Sequence, residues 1–289
     1  MERMSYIFES FSEDKVYVSG TPSVARFLLT GKETDGKFTI LTSGGQVFPA
    51  PVTMSSVPTH CHKHIHHDFL CIRGQSKVWL NDQFRVLSPE NFANLAPNAV
   101  HAYHFIGDHT EIFSIISPAG FEHVFRGLGE PYTGPMWPDV DLERATEKLN
   151  SGVANFMTQF DVIPVPDHSL VEPQSWGGSE CQLPGSQKPY FLRHCTGASA
   201  FSTEQSLATL EGSSHFETQV LSGGIQFPYV DDCFFVFDGY FEVTVSDTDS
   251  SRIGPDEVAW LPAETHFDIK PASSYFKVFI YSQPGGLAD

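Results

Sequence analysis

The chain has 289 residues, enough for about two domains, and its 40% apolar and 18% charged side chains make a globular balance rather than a disordered one. Its 17 basic and 35 acidic residues leave a formal net charge of −18. That charge excludes the basic footprint of a nucleic-acid binder and disfavours docking on an anionic membrane.

The amino terminus, Met1 to Glu9, has no apolar h-region, and no run of about 18 apolar residues occurs further on. A soluble, cytoplasmic protein is expected, with secretion still open because a trimmed leader would leave the same sequence. Residues 38–56 and 69–116 read as short β-runs broken by Gly, Pro, Asn and Asp, for example Lys77-Val78-Trp79-Leu80 followed by an Asn81-Asp82 hairpin turn. Residues 121–129 read as a short helix ending at glycine. A Pro/Gly-rich stretch follows, from Pro131 to Pro138, and then a second helix from Leu142 to about Asn150. Residues 164–190 are loop-like, and β-runs return from Tyr190 to Tyr281. The expected layout is an amino-terminal β-domain over 1–120, a helical and loop connector over 121–188, and a carboxyl-terminal β-domain over 189–289.

The two β-domains share an internal spacing. Gly74 closes the run Phe69-Leu70-Cys71-Ile72-Arg73, and Gly239 closes Phe234-Phe235-Val236-Phe237-Asp238. Both Gly74 to His101 and Gly239 to His266 span 27 positions, and Pro97 and Pro262 each precede the histidine by four. The turns Ser88-Pro89-Glu90 and Gly254-Pro255-Asp256 fall at nearly matching offsets. Several coincidences together imply a duplicated β-unit. The five cysteines, Cys61, Cys71, Cys181, Cys195 and Cys233, are odd in number and contain no C-x-x-C. That excludes a zinc ribbon and a thioredoxin-like site, and no structural disulfide framework is expected.

Residues 60–67 read His-Cys-His-Lys-His-Ile-His-His. On a strand His60 and His62 project from one face, and His101 arrives from a distant strand. Converging imidazoles are what a transition metal needs. Two ligand sets are consistent with the spacing: His60, His62, His67 and His101, or His62, His64, Asp68 and His101. In the second unit Asp232 lies seven positions before Gly239, as His67 does before Gly74, which favours the first set. His64, His66 and His104 are candidates for acid–base work or for supporting the ligands. Tyr103 and Phe105, by alternation from His101, are candidate pocket residues, followed by Phe113, Phe121 and Phe125. In the second unit Ile225 and Phe227 stand where His60 and His62 would be. Only Asp232 and His266 remain there, so one metal per chain is expected, with the second unit a structural and dimer-forming partner.

H-x-H, four residues, a ligand, six residues, glycine, then P-x-x-x-H resembles the two cupin motifs, and the chain as a whole resembles a bicupin. The stretches from His60 to Gly74, Arg85-Val86-Leu87-Ser88 and Pro97-Asn98-Ala99-Val100-His101 resemble fungal quercetin 2,3-dioxygenases. So do Phe121-Glu122, Leu128-Gly129, Pro131-Tyr132 and Trp137-Pro138 in the connector. The resemblance implies an all-β fold with minor α content: two β-sandwich or jelly-roll barrels joined by a helical connector. It implies one divalent transition metal, with Cu, Fe, Zn and Ni all compatible with imidazole ligands. It places His67 where the family has a glutamate, which puts flavonol oxygenation itself in question. Three functions follow as expectations. The first is an oxygenase that uses dioxygen to cleave a hydroxylated aromatic or enolisable, polyketide-like molecule. The second is a redox-neutral isomerase, cyclase or lyase on a similar substrate, and the third a non-catalytic binding cupin.

Overall fold

The computed structural model describes residues 6–8, 14–18, 23–45, 59–107, 109–134, 153–171, 190–192, 198–201, 205–213, 224–246 and 249–284. The chain forms two compact units. One comprises Ser12–Gln182 and Lys188–His194, and the other Met1–Phe11, Leu183–Gln187 and Cys195–Asp289. These limits differ from boundaries at 120 and 188. The strand Tyr6–Phe8 pairs with Val258–Leu261, so the amino-terminal end is claimed by the second unit. The connector does not stand apart either, because Phe121 and Val124 belong to an apolar cluster of the first unit with Val16, Phe27, Leu41 and Ile116.

The first unit holds two antiparallel sheets. The larger runs Glu130–Pro131, Lys15–Val18, Ser23–Leu29, Thr39–Gly45, Thr110–Ser117, His66–Arg73, Phe92–Asn94, Tyr190–Leu192 in spatial order. The smaller runs Ile163–Pro164, His60–Cys61, His101–Phe105, Ser76–Leu80, Gln83–Leu87. Side chains alternate along a strand. Phe69 and Cys71 from one sheet therefore meet Val78, Leu80, Tyr103 and Phe105 from the other in a single buried cluster. The Asn81-Asp82 turn is formed, with Leu80 opposite Gln83 and Asn81 at φ 53°.

Two short helices are described. Helix α1 spans Glu122–Leu128 and ends as Gly129 N–H donates to Phe125 O. It is anchored by buried Glu122, whose carboxylate accepts from Gly31 N, Thr39 Oγ1 and Gly120 N. Helix α2 spans Val153–Thr158. The helix expected over 142–150 lies outside the described residues, as do Cys181 and Cys195. Cys61, Cys71 and Cys233 are free thiols. None of the helices among the described residues is long and apolar enough to cross a membrane.

The second unit is built on two long strands, Asp231–Ser246 and His266–Gln283, which pair with each other. The duplication read from spacing recurs in its turn hydrogen bonds. In the first unit Glu90 N donates to Cys71 O, Ala99 N to Ala96 O and Asn98 N to His62 O; in the second Asp256 N donates to Val236 O, Thr265 N to Pro262 O and Glu264 N to Phe227 O. The last pair sets Phe227 in the place of His62. Gly74 and Gly239 are both left-handed, at φ 64° and 70°.

Candidate metal centre and adjoining recess

The smaller sheet gathers the histidines. His60 pairs directly with His101 across the strands, and His62 follows just past the end of the His60–Cys61 strand. The ring centres of His60 and His101 are 4.1 Å apart, and His62 lies 5.1 Å from each. All three are buried, and one nitrogen from each lies within 4.8 Å of the others.

The tautomers are set by the backbone. His62 Nδ1 is 2.9 Å from Asp161 O, and His101 Nδ1 is 3.0 Å from Ala99 O. A carbonyl can only accept, so each Nδ1 carries the proton and each Nε2 keeps its lone pair. Both Nε2 atoms are buried without a hydrogen-bond partner. Orphaned buried nitrogens that face one another are costly in an apo protein and suit a divalent transition metal. Burial pushes the His62 imidazole below its ordinary value. Burial and the neighbouring imidazoles push His101 well below. Neutral rings are the form that binds a cation.

His67 stands just outside this group. Its ring centre is 5.6 Å from that of His62 and 6.1 Å from that of His101. Both of its nitrogens are buried without a hydrogen-bond partner, and burial followed by His62 and His60 pushes it well below its ordinary value. Three of the four expected histidines lie within ligand distance of one another, and His67 adjoins them. The alternative set does not converge. His64 is exposed and its backbone N donates to Asp161 Oδ2. Asp68 is turned to Asn94 Nδ2 and Leu95 N, from which it accepts. His66 and His104 are likewise outside the triad. Each lies one residue or three from a site histidine on its strand, which by period-two alternation is the other face. His104 sits opposite Lys77. Its imidazole is lowered by burial and by that lysine.

A small recess of about 40 Å³, partly open to solvent, adjoins the histidines and is lined by Val18, His60, His67, Tyr103, Phe121, Val124, Phe125, Leu128 and Met157. Of the expected pocket residues, Tyr103, Phe121 and Phe125 line it. Phe105 and Phe113 do not: Phe105 continues along its strand into the core cluster with Phe69 and Val78, and Phe113 is one residue out of phase with Ile112, which enters that cluster. Phe121 stands edge-on to His62 at 5.3 Å and tilted to His67 at 5.2 Å. Val124, Leu128 and Met157 were not anticipated. The first two were visible as the i, i+3, i+4, i+7 series Phe121, Val124, Phe125, Leu128, whereas Met157 comes from a helix without a comparable signal.

No family model matches the sequence. Curated relatives include quercetin 2,3-dioxygenase of Bacillus subtilis, 29% identical over 133 residues, 46% of this chain and 37% of that protein. This chain thus matches little more than a third of the Bacillus protein's length. Quercetin 2,3-dioxygenase of Aspergillus japonicus is 23% identical over 322 aligned positions, 98% of this chain and 90% of that one. Among solved structures, protein Ylba from E. coli aligns with TM-score 0.56 and 9% identity over 91% of this chain and 82% of that one. Bacillus subtilis oxalate decarboxylase aligns with TM-score 0.52 and 11% identity over 99% and 78%. These structural likenesses speak to fold alone. With the duplicated β-unit, they show a two-unit cupin fold, and the sequence is similar to quercetin 2,3-dioxygenases.

Proposed function

We propose that the chain is a metal-dependent, dioxygenase-like cupin enzyme acting on a hydroxylated aromatic or enolisable small molecule that binds as an oxyanion. His60, His62 and His101 are the residues that would hold one divalent transition metal. Such an ion, when bound, supplies Lewis-acid polarisation and, with dioxygen, redox chemistry. The observation that carries the reading is the pair of backbone-locked imidazoles with bare Nε2 atoms, set beside a largely apolar recess.

The remaining residues bind and orient. Phe121, Phe125, Leu128 and Met157 exclude water and offer flat apolar contact to a planar ring. His67, neutral in its buried setting, offers a bare nitrogen to a substrate hydroxyl and an N–H to a neighbouring oxygen. A redox-neutral isomerase, cyclase or lyase is the second reading, favoured by one observation: His67 stands where a carboxylate base would be expected.

The test is metal content by mass spectrometry, together with turnover of flavonols and enolisable diketones in air and without oxygen. One metal per chain is expected, with product formation that stops without oxygen and with the two atoms of labelled dioxygen recovered across the cleavage products taken together. Turnover that persists without oxygen favours the redox-neutral reading; a chain that never retains metal defeats both.

A further inference from the structure

The segment that follows helix α2 is far from the histidine motif in sequence, yet it is bonded along that motif's length. Pro164 and Ile163 pair with His60 and Cys61, and Val165 N donates to Thr59 O at 2.8 Å. Asp161 does most. Its carbonyl accepts from His62 Nδ1 at 2.9 Å, its Oδ1 from Lys63 N at 3.1 Å and its Oδ2 from His64 N at 2.7 Å. It holds this position at φ 63°, where aspartate is better tolerated than most residues. The same turn closes helix α2, as Asp161 N donates to Thr158 O and Val162 N to Met157 O.

We infer that Asp161 is a positioning residue for the metal centre: its carboxylate grips the turn after His62 while its carbonyl fixes the His62 tautomer. The inference rests on the three-histidine metal reading. A carboxylate accepting two backbone N–H groups fixes where residues 62–64 run. The left-handed backbone aims the Asp161 carbonyl at Nδ1. Released from either hold, the His62 ring can rotate, and Nε2 is then no longer presented to His60 and His101. Metal affinity of a motif at residues 60–62 is thus set by a residue of the connector.

The test uses the full chain, stripped with chelator and titrated with Co²⁺ alone. Asp161→Gly keeps the left-handed backbone and removes both side-chain bonds, and Asp161→Asn keeps one carbonyl acceptor. Asp161→Gly is expected to bind Co²⁺ about 10–100-fold more weakly, with an altered Co²⁺ visible spectrum. Asp161→Asn should recover part of the affinity, and metal-free melting temperatures should stay close to wild type. Wild-type affinity and spectrum in Asp161→Gly overturn the inference alone. Affinity losses that merely track lost metal-free stability, with no recovery in Asp161→Asn, overturn it too. A wild-type chain that takes up no Co²⁺ overturns the metal reading and the inference together.

Discussion

Tyr103 brings an O–H group to the recess that also holds His60 and His67. Burial pushes its phenol up to about 12, so it stays a neutral donor at any working pH. Its ring is fixed by packing, 5.3 Å from Phe69 and 5.5 Å from Phe105. Tyr103→Phe should leave metal content and melting temperature nearly unchanged. It should weaken binding of an oxygenated aromatic by about threefold to tenfold, the worth of one hydrogen bond. Equal binding of a catechol-type probe to both proteins, measured by fluorescence quenching, would remove Tyr103 from substrate recognition. The histidines separate by the same logic. His60→Ala, His62→Ala or His101→Ala each leaves two donors, and metal occupancy should collapse. His67→Ala should keep most of the metal and lose substrate affinity; parallel metal loss in all four variants would restore His67 as a fourth ligand. His60, His62 and His101 were legible because H-x-H and P-x-x-x-H are local patterns whose strand parity follows from period two. Asp161 was not, because both its carboxylate and its carbonyl reach the motif from a segment that only the folded chain brings there.

At the scale of elements, the recess depends on α1 being held over the open side of the histidines, and that helix is too short to be stable alone. Glu122 anchors it at Gly31, Thr39 and Gly120, and hydrogen bonds from those groups outweigh burial and hold its carboxyl below the ordinary value. Its apolar face was readable from the series Phe121, Val124, Phe125, Leu128. The strands Lys15–Val18 and Ser23–Leu29, which pair with each other, were not anticipated. Gly74 shows how much one turn constrains a strand pair. At φ 64°, a Cβ there would lie 2.6 Å from His109 O and 2.7 Å from Thr110 Cα. Those are backbone atoms of a paired strand and cannot swing aside. Gly74→Ala should cost at least about 2 kcal/mol, from left-handed strain plus the clash. Urea unfolding checks it, and a loss below about 0.5 kcal/mol would mean that the strand pair yields easily.

At the scale of the whole molecule, one β-unit appears twice and the two copies have diverged in what they bury. The spacing repeat was legible because its turn residues are fixed by geometry: Glu90 and Asp256, and Asn98 and Glu264, all have positive φ. The fate of the matching side chains was less legible. Where the first unit has His67, the second has Asp232, 1% exposed, with Ser282 Oγ donating to its Oδ1 at 2.6 Å. Burial raises this carboxyl to about 7; the Ser282 bond opposes the shift and Asp231 adds to it. The sign follows from proton linkage. Unfolded aspartate titrates near about 3.9, so between that pH and about 7 the folded state binds the extra proton. Asp232 therefore makes the protein lose stability as pH rises through this window, by up to about 1.4 kcal/mol per unit. Asp232→Asn keeps an acceptor for Ser282 and carries no charge. Calorimetry from pH 5 to pH 8 should show the variant gaining on the wild type steadily as pH rises, with the difference levelling off above about pH 7. A stability difference that stays constant over that range would mean that the Asp232 carboxyl is already ionised in the folded protein at pH 5.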